Sequence, residues 1–188
     1  MPVFNKQNLL AELTDRTELI ISNTQCFLRL KNEQLNHKPA QDKWSIAEVF
    51  EHLNITQQIY INAILAKITN ADDVQNGRTY KSGWLGDWFY DKIMPRPDGS
   101  VFKMKAPKFL HPANSNLNGQ EVLNRFLQLQ DTLHDIIDHA STKDLQGIKI
   151  PLSVTNLLKL RLGDNLRFLI AHNERHLLQA QRIMMQFE

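Results

Sequence analysis

The chain has 188 residues, of which 42% are hydrophobic and 22% are charged. This length and composition suit one globular domain and exclude low-complexity, collagen-like and wholly disordered chains. The net charge of +2 is smaller than nucleic-acid-binding proteins usually carry, so we expect no nucleic-acid partner and interpret Lys103, Lys105 and Lys108 as part of a solvated loop. The absence of an apolar signal core and of any run of about 18 apolar residues predicts a cytoplasmic protein without a membrane partner.

Four stretches have the three-to-four-residue apolar spacing of amphipathic helices. They cover about 6–31, 45–68, the residues after Asn118-Gly119 up to about 140, and the residues after Gly163-Asp164 to near the C-terminus. Each is long enough, and has an apolar face, for a helix bundle. We therefore predict an all-α, single-domain four-helix bundle over residues 1–188.

The second predicted helix has the clearest start signal. Ser45-Ile46-Ala47-Glu48 has the pattern of a capping box, in which the Ser hydroxyl and the Glu carboxylate each accept a hydrogen bond from the other residue's amide. Asp164 is the candidate N-cap of the fourth helix. These signals predict where two of the four helices begin.

The connection between the second and third helices, about residues 70–118, is too long for a structureless loop. It contains turn signals at Asn76-Gly77, at 95–99 and at His111-Pro112, and an aromatic cluster of Trp84, Trp88, Phe89 and Tyr90. Such a crossover means that the helices it joins need not be simple antiparallel neighbours. We expect it to form either a side flap over one end of the bundle, or an active-site lid or dimer surface. Residues 101–105 and 147–151 have weak strand character, at most a short accessory ribbon.

Neither a disulfide nor a nucleophilic triad can be identified. Cys26 is the only cysteine, and its apolar, helical setting indicates a buried small hydrophobe. Ser45 is already predicted to be a helix cap. The seven histidines are therefore the side chains to examine for chemistry.

Two of them, His172 and His176, lie four residues apart on the fourth helix, so both imidazoles can reach one ion. Ordinary surface or core histidines also occur at this spacing. The pattern differs from the zinc-protease motif, because Asn173 takes the place of the general base and Glu174 lies about 200° around the helix. His52 is the candidate third ligand, since an unpaired imidazole in an apolar segment is costly unless it is hydrogen-bonded or coordinated. The remaining histidines are weaker candidates: His37, His111, His134 and His139.

Two motifs resemble signatures of the DinB-like superfamily. Residues 43–53, Lys-Trp-Ser-Ile-Ala-Glu-Val-Phe-Glu-His-Leu, match the second-helix pattern of Trp-Ser, an acidic residue and His-Leu. The last-helix pattern is matched by His172, Arg175, His176, Leu177 and Gln179. The resemblance covers nearly the whole chain and is weakest over 70–118.

This resemblance implies a four-helix bundle with a long crossover. It also implies a divalent metal, nickel or zinc, bound by His52, His172 and His176. Members of the superfamily include proteins regarded as metal-dependent hydrolases and enzymes that use low-molecular-weight thiols, such as thiol S-transferases and maleylpyruvate isomerase. Many members have no known activity. The implied function is therefore a metal-dependent enzyme with a small-molecule substrate.

Three protein ligands leave a position for water or substrate, as in catalytic metal sites. Glu48, one turn before His52, either orients an imidazole or only caps its helix, and we favour the cap. Gln179 either lines the site or is solvated. No Glu in the motifs is placed as a general base, so we favour metal-activated thiol chemistry over hydrolysis. Trp84 and Trp88 would exclude water if they fold over the metal.

Two other functions stay open: a non-catalytic metal-binding stress-response module, and a metal-free helical scaffold that dimerises through its crossover. Arg161, Arg167 and Arg175 would suit an anionic substrate. Pairing with Asp164 or Glu174 explains them equally well, and the sequence assigns them no substrate role. The expected partners are a small molecule and a second copy of the chain in a homodimer.

Overall fold

The structure is a computed structural model that describes residues 1–74, 78–96, 100, 102, 106–153 and 155–187, without the side chain of Asn156. These residues contain six α-helices and four short β-strands. The helices are α1 (Lys6–Thr24), α2 (Asn32–Asn36), α3 (Ile46–Ile68), α4 (Trp84–Ile93), α5 (Gly119–His139) and α6 (Leu162–Met184). The strands are β1 (Val3–Asn5), β2 (Thr79–Lys81), β3 (Lys149–Leu152) and β4 (Thr155–Arg161). With 64% helix, the protein is mostly helical, as predicted. Within the described ranges no helix combines the length and apolarity that crossing a bilayer requires.

The four predicted helices correspond to α1, α3, α5 and α6. Helix α3 packs against α5 and α6, and α1 packs against the same two helices. Three aromatic rings illustrate the shared core, because Phe50 contacts both Phe27 and Phe126 edge-on with ring centroids 5.3 and 4.9 Å away. Helices α3 and α5 are therefore direct neighbours despite the long crossover between them. The first helix is shorter than predicted, since the α-helix ends at Thr24 and continues only as a 3-10 turn over Gln25–Arg29.

The capping box at the start of α3 is confirmed. The amide of Glu48 donates to Ser45 Oγ over 3.2 Å, and the amide of Ser45 donates to Glu48 Oε2 over 2.8 Å. Asn118 caps α5 in a simpler way, with its side-chain oxygen accepting from the amide of Glu121. Both helix starts follow from local sequence.

The prediction that Asp164 is the N-cap of α6 is wrong. Strand β4 runs directly into the helix, so α6 begins at Leu162 and Asp164 lies inside its first turn. The buried Asp164 carboxylate instead accepts from Ser82 Oγ at 2.6 Å and from the amide of Gly83 at 2.9 Å. Its role is to attach the crossover to α6.

The crossover has structure of its own. It contains β2, which pairs with β1, helix α4, which packs against α6, and a 3-10 turn at Lys108–Leu110, which packs against α3. It therefore lies along both helices that carry the candidate histidines. Four features named from the sequence lie wholly or partly outside the described residues: the turns at 76–77 and 95–99, the strand candidate 101–105, and Lys103 with Lys105.

The strand expected near 147–151 is confirmed in part by β3, which pairs antiparallel with β4. The sequence analysis missed β4, β1 and β2. Leu157 and Leu158 of β4 are both exposed, so this strand does not show the alternation of a half-buried strand. The short strands position the chain at the entries to α1 and α6.

We expect Ser45→Ala to lower the free energy of unfolding by about 0.5–2 kcal/mol, because it removes the acceptor for the Glu48 amide at the helix start. Urea denaturation measures this change. Ser22→Ala is a matched control, since Ser22 is exposed inside α1 and its loss should change stability by less than about 0.5 kcal/mol. Equal effects of the two substitutions would contradict a capping role for Ser45.

Candidate metal centre

Three histidines converge where α3 faces α6. His52 comes from α3, and His172 and His176 come from successive turns of α6. Each offers one ring nitrogen, and these three atoms all lie within 4.8 Å of one another. His52 Nε2 and His172 Nε2 are 3.4 Å apart. The structure thus brings together the three residues that the sequence predicted as ligands.

The crossover fixes the orientation of the His52 ring. His52 Nδ1 lies 2.8 Å from the backbone carbonyl oxygen of Leu110. Because a carbonyl only accepts, Nδ1 carries the proton and Nε2 keeps a free lone pair. The Trp44 ring packs against the imidazole, with the centroids 4.9 Å apart. A hydrogen bond that fixes the tautomer in this way is typical of metal-binding histidines.

Gln179 fixes the ring orientation and the tautomer of His176 in the same way. The side-chain oxygen of Gln179 accepts from His176 Nδ1 over 2.9 Å, which leaves Nε2 unprotonated. The ring of His172 stacks on Phe168 with an interplanar angle of 19°. Its Nδ1 atom is buried and has no hydrogen-bond partner among the described residues. Two of the three rings are thus held by hydrogen bonds and the third by packing.

The three imidazoles are neutral at physiological pH. Burial lowers the pKa of His52, and lowers the pKa of His172 well below its ordinary value. Burial and the neighbouring His52 lower the pKa of His176 to about 3. Loss of hydration disfavours the cationic form, and a neighbouring positive charge does so as well. All three rings therefore keep the unprotonated nitrogen that a metal ligand needs.

The spacing of one pair of donor nitrogens fits a divalent transition metal. Two nitrogens bound at about 2.0–2.1 Å, with a tetrahedral angle between them, lie about 3.4 Å apart. The His52–His172 separation of 3.4 Å has this value. Three neutral nitrogen ligands also match the donor type that zinc and nickel accept. The residue types present thus fit a divalent metal.

No carboxylate joins the three histidines in the described part of the chain. Glu48 accepts from the Ser45 amide through Oε2 and pairs with Lys38 through Oε1 at 2.8 Å. Glu174, as expected, lies away from the site. It forms a bidentate ion pair with Arg16, in which both hydrogen bonds are 2.7 Å long. The cap is thus the role of Glu48 that the contacts support.

A cavity of about 760 Å³ adjoins the three histidines. Its apolar wall consists of Trp44, Phe89, Ile93, Ala106, Pro107, Leu110, Leu152 and Phe168. Its other polar lining residues are Thr56, Tyr60, Lys108, His111, Ser153, Arg175 and Gln179. This size and mixture are typical of small-molecule sites.

Trp84 and Trp88 were expected to exclude water only if they fold over the site, and they do not. Their side chains are 72% and 47% exposed and do not line the cavity. Phe89, next to them on α4, faces the cavity instead, because successive helical positions point about 100° apart. Trp44, which precedes the Ser45 cap, also lines the cavity.

Two contributors to the site were missed in the sequence. The Leu110 carbonyl is a backbone acceptor, and no side-chain pattern reveals it. His111, set aside as a ligand, lines the cavity and contacts Trp44 edge-on, with its Nε2 held by the Ala106 carbonyl. The His111-Pro112 turn in a long crossover was the available signal, because functional residues concentrate on such loops.

The fold and the site define a mostly helical protein with a three-histidine cluster between two long helices. The family model described as the DinB superfamily matches residues 16–180. The chain therefore belongs to the DinB superfamily, as the sequence motifs predicted. It is similar to YuaE of Bacillus subtilis (strain 168), an uncharacterised protein, with 24% identity over 159 residues that cover 85% of this chain and 88% of YuaE. No solved structure matches significantly.

In protein stripped of metal by a chelator, we expect His52 and His176 to be neutral at neutral pH, each with its proton on Nδ1. The physical reason is that Leu110 and Gln179 present oxygen acceptors to these two atoms. Long-range ¹H–¹⁵N correlation spectra distinguish the tautomers. Gln179→Leu should abolish the preference at His176 and leave His52 unchanged. A proton on His52 Nε2 would refute the arrangement described above.

Proposed function

We propose that His52, His172 and His176 bind one divalent metal ion, nickel or zinc, and that the protein is a metal-dependent enzyme acting on a small molecule in the adjoining cavity. The convergence of three neutral imidazole nitrogens within 4.8 Å carries this proposal. Membership of the DinB superfamily supports it independently. In this proposal α1, α3, α5 and α6 form the four-helix bundle of the superfamily.

The chain's own residues prepare the site for chemistry. Leu110 and Gln179 hold the rings of His52 and His176 with Nε2 unprotonated, and Phe168 packs against the ring of His172. The bound metal would supply Lewis acidity, which lowers the pKa of a coordinated water or thiol. The apolar wall, including Trp44 and Phe89, limits the water that surrounds a bound substrate.

Thiol chemistry is the favoured reaction class, and hydrolysis is the second candidate. The cavity lining contains no Asp or Glu within the described residues, so no carboxylate is placed as a general base for an attacking water. Deprotonation of a thiol is less demanding, since its ordinary pKa is about 8.5 and a nearby cation lowers it further. The cavity therefore suits activation of a low-molecular-weight thiol better than activation of a water molecule for hydrolysis.

The homodimer and the cytoplasmic location stay predictions. Helix α4 carries two exposed tryptophans, Trp84 and Trp88, on the crossover where a dimer surface was expected. Large exposed aromatic side chains are enriched at interfaces between proteins. The crossover is thus the surface through which we propose that two copies associate.

We expect one equivalent of Zn²⁺ or Ni²⁺ to bind per chain, with stabilisation of about 2.7 kcal/mol at a free metal concentration 100 times the Kd. His172→Gln should weaken binding by more than the roughly 10–100-fold that loss of an outer hydrogen-bond partner causes. Competition with a chromophoric chelator measures the affinity. His139→Gln is the control, because His139 is exposed on α5 and outside the cluster. Unchanged affinity in His172→Gln would exclude this site.

The reaction class can be tested with the cobalt-loaded protein. We expect addition of cysteine or another small thiol to change its visible absorption spectrum, because the cavity gives a thiol direct access to the histidine cluster. His176→Gln should abolish the change. No response to any small thiol, together with measurable hydrolysis of esters or amides, would reverse the preference for thiol chemistry.

A further inference from the structure

Arg175 has a hydrogen-bonding arrangement that the site described so far does not use. It precedes His176 on α6, and its side chain lines the same cavity. Its Nη2 atom donates to the backbone carbonyl of Phe102 over 2.6 Å. Its Nη1 atom is buried and lacks a hydrogen-bond partner in the described residues. An unpaired buried donor on a charged group is costly in free energy, so a ligand oxygen that reaches it on binding would be strongly favoured.

Other acidic and basic side chains on α6 are already paired. Arg167 contacts Asp87 and Asp164, at 3.4 and 3.8 Å. Glu174, directly before Arg175, binds Arg16 with both of its oxygens. The nearest acid in sequence therefore does not neutralise Arg175, and no described carboxylate lies within ion-pair distance of it.

The charged residues that line the cavity also indicate what kind of molecule it binds. Lys108, which is exposed, and Arg175 both line it, while Asp and Glu are absent from its described lining. Burial lowers the pKa of Arg175, and the Arg175 charge in turn lowers the pKa values of His172 and His176. The guanidinium thus lies close enough to the two histidines to disfavour their cationic forms. A cavity with unpaired positive charges favours an anionic ligand.

We propose that Arg175 binds a carboxylate group of the small-molecule substrate, and that the apolar body of this substrate lies along Trp44, Phe89 and Phe168. The inference rests on the proposed function in one respect, that the reacting group of the substrate lies at the three histidines. A carboxylate matches the planar guanidinium, whose remaining donors lie in one plane. The hydrogen bond to Phe102 holds that plane in position before the substrate arrives, which reduces the entropy lost on binding.

Binding of 3-phenylpropionate and its uncharged amide, 3-phenylpropionamide, tests this assignment by isothermal titration calorimetry. The two compounds share an apolar body and differ in the charge of one end. We expect the full-length protein, both chelator-treated and zinc-loaded, to bind the carboxylate about tenfold more tightly than the amide. In the chelator-treated protein, where no metal can bind the carboxylate, Arg175→Gln should abolish this preference and Arg175→Lys should retain part of it. Arg182→Gln is the control and should keep the preference, because Arg182 is exposed on α6 and does not line the cavity.

Equal affinity of the wild-type protein for the two compounds overturns the proposal, and this comparison needs no variant. A carboxylate preference that survives Arg175→Gln in the chelator-treated protein also overturns it, provided that the circular dichroism spectrum shows a folded protein. Metal titration of the same samples separates the two proposals. A preference that depends on Arg175 in a protein that takes no metal would retain the carboxylate site and remove the metal function. Full metal binding without a carboxylate preference would retain the metal function and remove the carboxylate site.

Discussion

The burial of His52 is the constraint on which the site and the crossover both depend. A buried imidazole loses its water at two nitrogens, and the chain must replace that water or leave a costly unpaired atom. The carbonyl of Leu110 replaces it at Nδ1, and Nε2 faces His172 at 3.4 Å. This one side chain therefore joins α3, α6 and the 3-10 turn over Lys108–Leu110. The turn cannot move away from α3 without leaving His52 Nδ1 unpaired, so the crossover and the histidine geometry are coupled.

A second group of buried charges fixes the earlier part of the crossover. Asp164 accepts from Ser82, and Arg167 lies between Asp164 and Asp87 of α4. Helix α4 comes close enough because residue 86 is glycine: a Cβ there would lie 2.2 Å from the Asp164 side chain. Removing one member of such a buried pair costs more than the pair contributes in total, since the remaining charge is left uncompensated. These two groups thus attach the crossover to α6 and to α3, in addition to the pairing of β2 with β1.

The features that could be predicted are those encoded within one helix. Apolar periodicity located the four long helices, the capping box located the start of α3, and spacing paired His172 with His176. His52 followed from the cost of burying an imidazole among apolar residues. The role of Asp164 could not be predicted, because it depends on where β4 meets α6. The Leu110 carbonyl is a backbone atom without a side-chain signal, and only the three-dimensional contacts distinguish Arg175 from the paired arginines of its helix.

The ion pairs that stabilise the helices also determine the charge of the cavity. Glu48 is engaged by its cap and by Lys38, and Glu174 by Arg16, so neither carboxylate lines the cavity. Because the ligand nitrogens are neutral, a bound metal would keep its full charge beside Arg175. Charges in a partly buried cavity interact more strongly than charges in water, since the effective dielectric constant is lower. An anionic molecule is therefore favoured on entry, and a cationic one disfavoured, before either forms a specific hydrogen bond. The preference for an anionic molecule thus follows from the cap and the ion pairs that keep Glu48 and Glu174 out of the cavity.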